Sequence, residues 1–283
     1  MIICHTQGVR VINCKMSEPA VYAAKLKREE LADFLKTRRA AVQPAEVGLP
    51  ESPRKRTPGL RREDVAELAD LSVSWYTWLE QGREINVSDE TLNSIAVALR
   101  LNEAEHTHLF NLARTNGNES KAQNEINLTE IKRILSSFAP GIPATATGRY
   151  MNILAWNKAA GALHDDFKVL PKERLNWAWY VFKYKPREFF TDWDIFARCT
   201  LALARGDYGK FVGADDEGVK LIEELRSEIP IFERWWHDHD VIAVPHPDKE
   251  FTHPKNGKLS YKTSAMNLEA APEVRLVVYT PII

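Results

Sequence analysis

Cysteine is scarce in this chain, and the scarcity excludes two kinds of small fold. Cys4, Cys14 and Cys199 are the three cysteines among 283 residues, and their spacing fits neither a disulfide framework nor a zinc knuckle. So few cysteines are typical of a reducing compartment, and we therefore expect a cytoplasmic protein. No apolar run approaches the length of a transmembrane helix, and we expect no membrane partner.

The sequence also lacks the common signatures of catalysis. It contains no Gly-rich phosphate loop, no Gly-x-Ser-x-Gly elbow and no redox pair of cysteines. We therefore predict that the protein is not an enzyme and carries no cofactor apart from a bound effector. The chain is 44% hydrophobic and 27% charged, which is ordinary for a soluble protein, and its length suffices for two domains with separate cores.

Positive charge is concentrated in one region rather than spread over the chain. The formal net charge is −1, which excludes a protein coated in positive charge. Residues 25–62, however, contain eleven lysines or arginines against five acids, a net charge of +6. A DNA-binding protein needs only such a local basic surface. This region lies directly beside the motif that carries most of the information in the sequence.

That motif is the stretch 60–83, LRREDVAELADLSVSWYTWLEQGR, which has the pattern of two short helices joined by a tight turn. Ser72 stands where an N-cap oxygen would accept amide hydrogens of the second helix. Tyr76 and Leu79 lie three residues apart and are predicted to face the core. The side chains left to point outward are Val73, Ser74, Thr77 and Trp78. An outward face of this kind can enter a groove of duplex DNA.

Helix and linker signals around the motif predict the limits of the domains. We expect a five-helix, all-α domain at residues 22–115, whose first helix carries an apolar stripe of Leu31, Phe34 and Leu35. Ser88 is expected to cap a later helix, and Asn102 and Glu105 to form a capping box for the next. A polar linker is predicted at 116–127 and a second domain at 128–283. Residues 1–21 are predicted to be a disordered or mis-annotated extension, because Met16 begins a more typical start.

The motif resembles the XRE (Cro/repressor-like) family, whose second helix ends in a Leu-Glu-x-Gly-Arg signature, here Leu79–Arg83. The segment TPGLRREDVAELA and the pair Trp75-Tyr76 are similar to the MmyB-like branch of that family. This resemblance implies a lambda-repressor-like DNA-binding domain followed by a small-molecule sensor. It also implies phosphate contacts from the start of the first helix and base contacts from the second. The predicted DNA-binding residues are Arg61, Arg62, Ser72, Val73, Ser74, Trp75, Thr77, Trp78 and Arg83.

The predicted base-facing set is poor in side chains that read bases with two hydrogen bonds. Val73 and Thr77 can contact a thymine methyl group, and Ser74 can serve a base or a phosphate. Related proteins commonly have arginine at the position of Trp78, and tryptophan cannot make a bidentate guanine contact. We further expect a homodimer, with half-sites one turn of duplex apart, about 34 Å.

The second half of the chain has the pattern of an α+β domain with an antiparallel sheet. ATATGRYMNILAWN reads as a hairpin with its turn at Gly148-Arg149. An aromatic-rich helical region follows at 173–240, and strands return near Phe251, Lys258 and Arg275. The phrases LAWNKAAGAL, FERWWHDHDV and FTHPKNGKLSYKTSAMNL resemble the MmyB-like ligand-binding domain. That resemblance implies a PAS-like fold that can hold an acyl chain or another lipid-like molecule.

A slot lined by aromatic side chains with one or two polar anchors suits a fatty-acid-type ligand. Arg205, Arg234, His239 or Asn157 can hold a carboxylate head group, although Asn157 can equally cap a helix and the tryptophans can simply be packing residues. The predicted ligand-binding residues are Asn157, Phe182, Trp193, Arg205, Arg234, Trp235, Trp236 and His239.

Two other interpretations of the second domain remain open at this point. The cluster around His237 and His239, with His246 and His253 further on, permits a metal-dependent hydrolase with an appended DNA-binding module. Residues 237 and 239 project to different faces of a helix, however, which disfavours a preformed metal site, and we expect no metal. Alternatively, the domain is a dimerisation module without a ligand, in which the aromatic residues serve only in packing.

Overall fold

The computed structural model describes residues 19–50, 59–114, 127–212, 216–238 and 248–282. Five α-helices make up the N-terminal region in this part of the chain: α1 (Pro19–Ala41), α2 (Arg62–Leu68), α3 (Val73–Glu80), α4 (Asp89–Ala98) and α5 (Glu103–Ala113). A short 3-10 helix, Pro44–Val47, follows α1. The predicted five-helix domain with a helix-turn-helix at its centre is therefore confirmed.

Local capping interactions account for where these helices begin and end. Ser72 Oγ accepts a hydrogen bond from Trp75 N at 3.2 Å, and Ser88 Oγ accepts one from Thr91 N at 3.2 Å. Asn102 and Glu105 cap each other's backbone reciprocally. Gly82 ends α3 in the left-handed region with φ of 67°. The predicted caps at Ser72, Ser88 and the pair Asn102 and Glu105 are confirmed.

The N-terminal core is built largely from aliphatic side chains with a few rings. Leu31, Phe34 and Leu35 of α1 form the predicted stripe and are buried. Tyr76 and Leu79 of α3 are also buried, as the spacing of the motif predicts. Every helix of the region contributes to this single cluster. The recognition-type helix α3 is consequently fixed to the domain by its inner face.

The C-terminal region contains six α-helices and five strands among the described residues. The helices are α6 (Leu128–Ser136), α7 (Lys158–His164), α8 (Trp177–Trp179), α9 (Trp193–Phe211), α10 (Glu217–Glu228) and α11 (Pro230–His237). The strands are β1 (Ala144–Thr147), β2 (Ile153–Trp156), β3 (Asp248–His253), β4 (Gly257–Leu268) and β5 (Ala271–Pro281). A π-helical turn, Tyr180–Tyr184, continues α8.

The strands form one antiparallel sheet in the order β2-β1-β5-β4-β3. Because side chains alternate along a strand, β5 presents Leu276 and Val278 to α6 and presents Arg275, Val277 and Tyr279 to the opposite face. The helices α7 to α11 cover that opposite face with an aromatic cluster. The prediction of an α+β domain with an antiparallel sheet is confirmed.

Helix α9 contacts both regions of the molecule. It crosses the aromatic face of the sheet, and it also packs against α5 of the N-terminal region. Leu26 of α1 packs against the edge of the C-terminal aromatic cluster. Within the described ranges, no helix is both long enough and apolar enough to cross a membrane.

Three predictions concern segments that lie wholly or partly outside the residues that the structure describes. The extension predicted at 1–21 is described only from Pro19, where α1 begins three residues earlier than we expected. The linker predicted at 116–127 is described only at Asn127, whose side chain accepts a hydrogen bond from Glu130 N. Arg54, Lys55 and Arg56 of the basic region 25–62 lie outside the described residues altogether.

Candidate nucleic-acid interface and ligand cavity

The predicted DNA-binding residues of α3 share one outer face of the N-terminal domain. Val73 and Trp78 are large apolar side chains that are nonetheless 40% and 41% exposed. Ser72 and Ser74 are exposed, while Trp75 and Thr77 are half-buried beside them. Exposed apolar groups on a short helix are unusual unless something covers them, and a major groove accepts a helix of this width.

Two arginines flank this face at opposite ends. Arg61 is exposed at the start of α2, where its backbone N–H donates to Asp64 at 2.6 Å. Arg83 is exposed just beyond α3, and its guanidinium carbon lies 5.7 Å from the centre of the Trp78 ring. A cation held against an exposed ring is available to a phosphate at the edge of a groove. The positions of both arginines therefore fit phosphate contacts.

Arg62 has a structural partner that the sequence did not reveal. Its Nε donates to Oε2 of Glu80 at 2.7 Å, and Glu80 has no exposed side-chain area. Arg39 of α1 pairs with the same carboxylate through Nε at 2.5 Å and Nη2 at 3.1 Å. Burial alone would raise the pKa of Glu80, but the hydrogen bonds from Arg39 and Arg62 outweigh it and lower the pKa. Arg62 thus ties α2 to α3 in addition to its predicted role at phosphates.

The C-terminal domain contains a cavity of about 330 Å³ between the sheet and α9. Its volume is at the lower end of the range found for small-molecule sites. The walls come from β1, β3, β4, β5, the segment after β1, and one face of α9. The apolar part is lined by Met151, Trp177, Phe196, Leu203, Phe211, Ala265, Met266 and Val277.

Charged side chains occupy one part of this cavity. Lys249 of β3 and Arg275 of β5 both line it, and burial lowers the pKa of each. Asp207 of α9 also lines it, and burial raises the pKa of Asp207 to about 6 although Arg275 and Lys210 oppose the change. With Lys210 and Glu273, which also line the cavity, three cations face two acids, and an anionic group of a ligand would balance the excess.

Asp207 also supports an unusual turn between β1 and β2. Tyr150 and Met151 have φ of 53° and 62°, which side-chain-bearing residues seldom adopt. The backbone N–H groups of both residues donate hydrogen bonds to Asp207. This turn explains why the predicted two-residue turn at Gly148-Arg149 is longer in the structure. It places Met151 in the cavity wall.

Those residues predicted to bind a ligand that the structure describes do not line this cavity. Asn157 caps α7, accepting from Ala160 N at 2.9 Å and donating to Ile142 O at 2.8 Å. Arg205 is fully buried and donates to the backbone oxygens of Trp235 and Trp236. In both cases the side chain has structural partners and does not line the cavity.

The predicted aromatic residues are brought together, but in a packed cluster. Phe182, Trp193 and Trp235 have ring centres 5.8 to 6.2 Å apart. Trp236 is stacked on Phe232 at 5.6 Å. Arg234 is exposed, and His239 lies outside the described residues. These ligand contacts therefore stay predictions, and the cavity in the structure is lined by a different set of residues.

One sequence signal could have located that set. Arg275 and Glu273 interrupt the apolar run of β5 at alternate positions, so a charged side chain shares a strand face with Val277 and Tyr279. A charge on a predicted inward face is an indicator of a buried polar site. Lys249, Asp207 and Cys199 come from distant segments and have no comparable local signal.

The histidines of the alternative interpretation do not meet in the described part of the chain. His237 Nε2 lies 2.9 Å from Glu233 of its own helix, and His253 Nδ1 accepts from Lys255 N and Asn256 N at 3.2 Å. No group of three potential metal ligands occurs among the described residues. His239 and His246 lie outside them, so the hydrolase stays an alternative that the structure does not test.

Comparison with known families agrees with this division into two functional parts. A family model for a helix-turn-helix domain matches residues 30–109. The family model of the MmyB-like transcription regulator ligand binding domain matches residues 129–282, which is more than half of the chain. No curated protein matches the chain.

Proposed function

Because the chain belongs to the MmyB-like transcription regulators, DNA-binding proteins with a ligand-sensing domain, we propose that its cavity takes a fatty-acid-type ligand and that the occupied cavity tunes binding to a DNA operator. The observation that carries this proposal is a cavity whose apolar walls end at Lys249 and Arg275. An acyl chain with an anionic head group satisfies both parts.

The apolar part of the cavity supports an acyl chain. Trp177, Phe196 and Val277 present rings and a branched side chain, and Met151 and Met266 present flexible ones. Each buried CH₂ group contributes about 0.8 kcal/mol, so a chain of modest length provides useful affinity. Methionine adapts to ligands of different shape. A family of related chain lengths is therefore expected to bind.

The polar part supports an anionic head group. Lys249 Nζ lies 4.6 Å from the centre of the Phe196 ring, at the boundary between the apolar and the charged walls. A carboxylate beside Lys249 and Arg275 would stabilise two cations that are otherwise poorly solvated. A neutral alcohol of equal length would gain the apolar contacts and lose this pairing. The difference between the two ligands isolates the contribution of the head group.

DNA binding is proposed to use the outer face of α3 with Arg61 and Arg83 at its edges. Phosphate contacts from these arginines would make the affinity fall steeply with salt. Two copies of the chain are proposed to read two half-sites about 34 Å apart on one side of the duplex. The proposed location is the cytoplasm, where the DNA of a bacterial-type cell lies.

Ligand titration tests the proposed ligand class. We expect decanoate to bind the full chain more tightly than decanol, and we expect Lys249→Gln to weaken decanoate about tenfold while decanol changes little. Lys262→Gln is the matched control, because Lys262 is an exposed lysine on β4 outside the cavity lining. Equal affinities for acid and alcohol in all three proteins would contradict an anionic head group at this position.

A second measurement identifies the natural ligand class. Native mass spectrometry of gently purified protein is expected to show a retained species of fatty-acid mass that excess decanoate displaces. A protein that never binds decanoate, decanol or a retained lipid would favour the dimerisation module over the sensor.

A further inference from the structure

Helix α9 is a wall shared by the ligand cavity and the DNA-binding domain. Along one face it lines the cavity with Phe196, Leu203 and Asp207. Its last turns also meet α5, which belongs to the helix-turn-helix domain. A change in the position of α9 therefore reaches both the cavity and the N-terminal domain without any intervening element.

The contact between α9 and α5 has no spare room. A Cβ atom on Gly209 would lie 3.1 Å from the His108 ring and 3.4 Å from Cδ2 of Leu112. Gly209, His108 and Leu112 are all buried. A methyl group at this position would therefore push against the His108 ring, and packed interfaces of this kind shift in discrete steps rather than bending.

His108 connects this contact to the core behind the recognition face. Its ring meets Phe34 of α1 edge-on, with centres 5.1 Å apart. Phe34 belongs to the same buried cluster as Tyr76 and Leu79, the inward side chains of α3. The path from Gly209 to α3 therefore passes only through buried, mutually packed groups.

Lys210, the neighbour of Gly209, provides a second connection. It lines the ligand cavity, and it also borders a groove of about 760 Å³ whose other lining residues all belong to the N-terminal domain. Among those residues are Leu79, Gly82 and Arg83, the end of α3 and the residues after it. The Lys210 side chain thus borders both the ligand cavity and the residues that follow the recognition helix α3.

Opposite charges on the two domains also face each other nearby. Glu30 of α1 faces Arg205 of α9 and Arg226 of α10, and these charges oppose the rise that burial produces in the pKa of Glu30. Arg205 in turn donates to the carbonyls at the end of α11. The domains are consequently joined at two places on α1 and α5, and both joints lead to α9.

We propose that α9 transmits occupancy of the cavity to the DNA-binding domain through the Gly209–His108 contact. This inference rests on the proposed function, because it needs a ligand in the cavity and an operator on α3. A ligand that binds two arrangements of α9 with different affinity shifts the population between them. By reciprocity, DNA must then change the affinity for ligand by the same factor, and factors of about 5 to 150 are usual.

Two glycines on α9 offer a matched pair of variants. Gly209→Ala inserts a methyl group into the contact with His108, whereas nothing lies within 4 Å of the corresponding atom at Gly206. Both changes raise helix propensity equally, so a general stiffening of α9 affects both. In the native chain and in Gly206→Ala, decanoate is expected to change operator affinity at least fivefold. In Gly209→Ala it should bind equally well and change operator affinity less than twofold.

The outcomes separate this inference from the proposed function. Decanoate that binds the native chain without altering operator affinity, or a Gly209→Ala variant that keeps the full response, would overturn the inference and leave the ligand class intact. If decanoate does not bind, the ligand class fails, and Ala265→Trp tests the inference alone by filling the cavity. Ala265→Trp alone should then shift operator affinity at least fivefold, whereas the double variant with Gly209→Ala should not show this shift. An unchanged operator affinity in Ala265→Trp alone overturns the inference.

A folding defect does not end the test. Should Gly209→Ala fail to fold, His108→Ala removes the ring from the same contact without adding bulk. It is expected to retain ligand binding and lose the ligand response, and a retained response would again overturn the inference.

Discussion

The two domains differ in how fully their cores are packed and in how their buried charged groups are paired. The N-terminal core consists mainly of aliphatic side chains, and its buried acid Glu80 is fully paired with Arg39 and Arg62. The C-terminal core is aromatic and borders a cavity of about 330 Å³, which is lined by Lys210, Lys249 and Arg275 against Asp207 and Glu273. A filled core with paired charges makes a rigid scaffold, and a core with space and unbalanced charge is suited to a ligand.

We call the N-terminal domain, with α1 to α5, the reader and the C-terminal domain, with α6 to α11 and the sheet, the sensor. Recognition residues on α3 lie on a surface whose geometry is set by the packing underneath, so a shift of that packing would change the position of the whole face. The sensor surrounds a space that different ligands can fill. The tight contact between α9 and α5 is where the sensor meets the reader.

Breaking the charge pairing of the reader should have the largest effect. Glu80→Ala leaves Arg39 and Arg62 without their shared acid and is expected to lower the unfolding free energy of the N-terminal domain by about 3 kcal/mol. Glu84→Ala is the control, because the Glu84 side chain is 88% exposed and its contact with Arg28 is long, at 3.9 Å. Chemical denaturation measures both, and equal stabilities would contradict the structural role of Glu80.

The same carboxylate predicts an acid limit for the domain. The pKa of Glu80 is lowered in the folded state, so its stabilisation is present above the ordinary glutamate value near pH 4.5 and is lost as pH falls through the lowered value. Denaturation across this window should show a steeper loss in the native chain than in Glu80→Gln. Parallel curves would assign the acid sensitivity to other groups.

Filling the space of the sensor should have the next largest effect. Ala265→Trp projects into the cavity from β4 and is expected to weaken decanoate binding at least tenfold. Ser264 lies next to Ala265 on the opposite face of the strand and does not line the cavity. The Ser264→Trp variant should therefore bind decanoate within twofold of the native affinity. Fluorescence titration compares the two, and equal losses would place the ligand outside the cavity.

Two adjacent arginines of the reader are expected to differ in their effect on stability. Arg61→Ala and Arg62→Ala should each reduce the salt dependence of DNA binding by about one unit of slope, because each is proposed to contact a phosphate. Only Arg62→Ala should also lower stability, since Arg62 pairs with Glu80. Salt titrations with denaturation curves separate the two effects. An unchanged slope for Arg62→Ala would leave that residue a purely structural role.

The smallest predicted effect is a pH dependence of ligand binding. Asp207 has a pKa of about 6 and faces Arg275, Lys210 and the N–H groups of Tyr150 and Met151. As pH falls through 6, Asp207 loses its negative charge, so affinity for an anion should rise a few-fold. Decanesulfonate is the suitable probe because it stays ionised throughout. Asp207→Asn should bind it equally at pH 5 and pH 7, and a persisting pH response would assign it to another group.

The reader was predictable from sequence because its signals are local. Ser72, Ser88 and the pair Asn102 and Glu105 each act within three residues, and the structure contains all of these caps. The buried partner of Arg62 escaped prediction because Glu80 and Arg39 come from different helices. Distance along the chain, rather than the type of interaction, decided what could be foreseen.

The sensor was predictable in fold class but not in its cavity. Strand alternation and turn residues identified the sheet, whereas the cavity requires β1, β3, β4, β5 and α9 to meet across the domain. Trp235 and Arg205 looked like ligand contacts because buried aromatic and basic residues occur in binding sites. The same properties serve packing, and the structure gives each of these side chains a partner inside the protein.

The most direct test measures operator affinity of the full chain by fluorescence anisotropy over a series of salt concentrations, with and without saturating decanoate. We predict an affinity that falls steeply with salt and that differs at least fivefold between the two ligand states at every salt concentration. Superimposable curves with and without decanoate, or binding that does not respond to salt, would contradict a reader on α3 that the cavity controls.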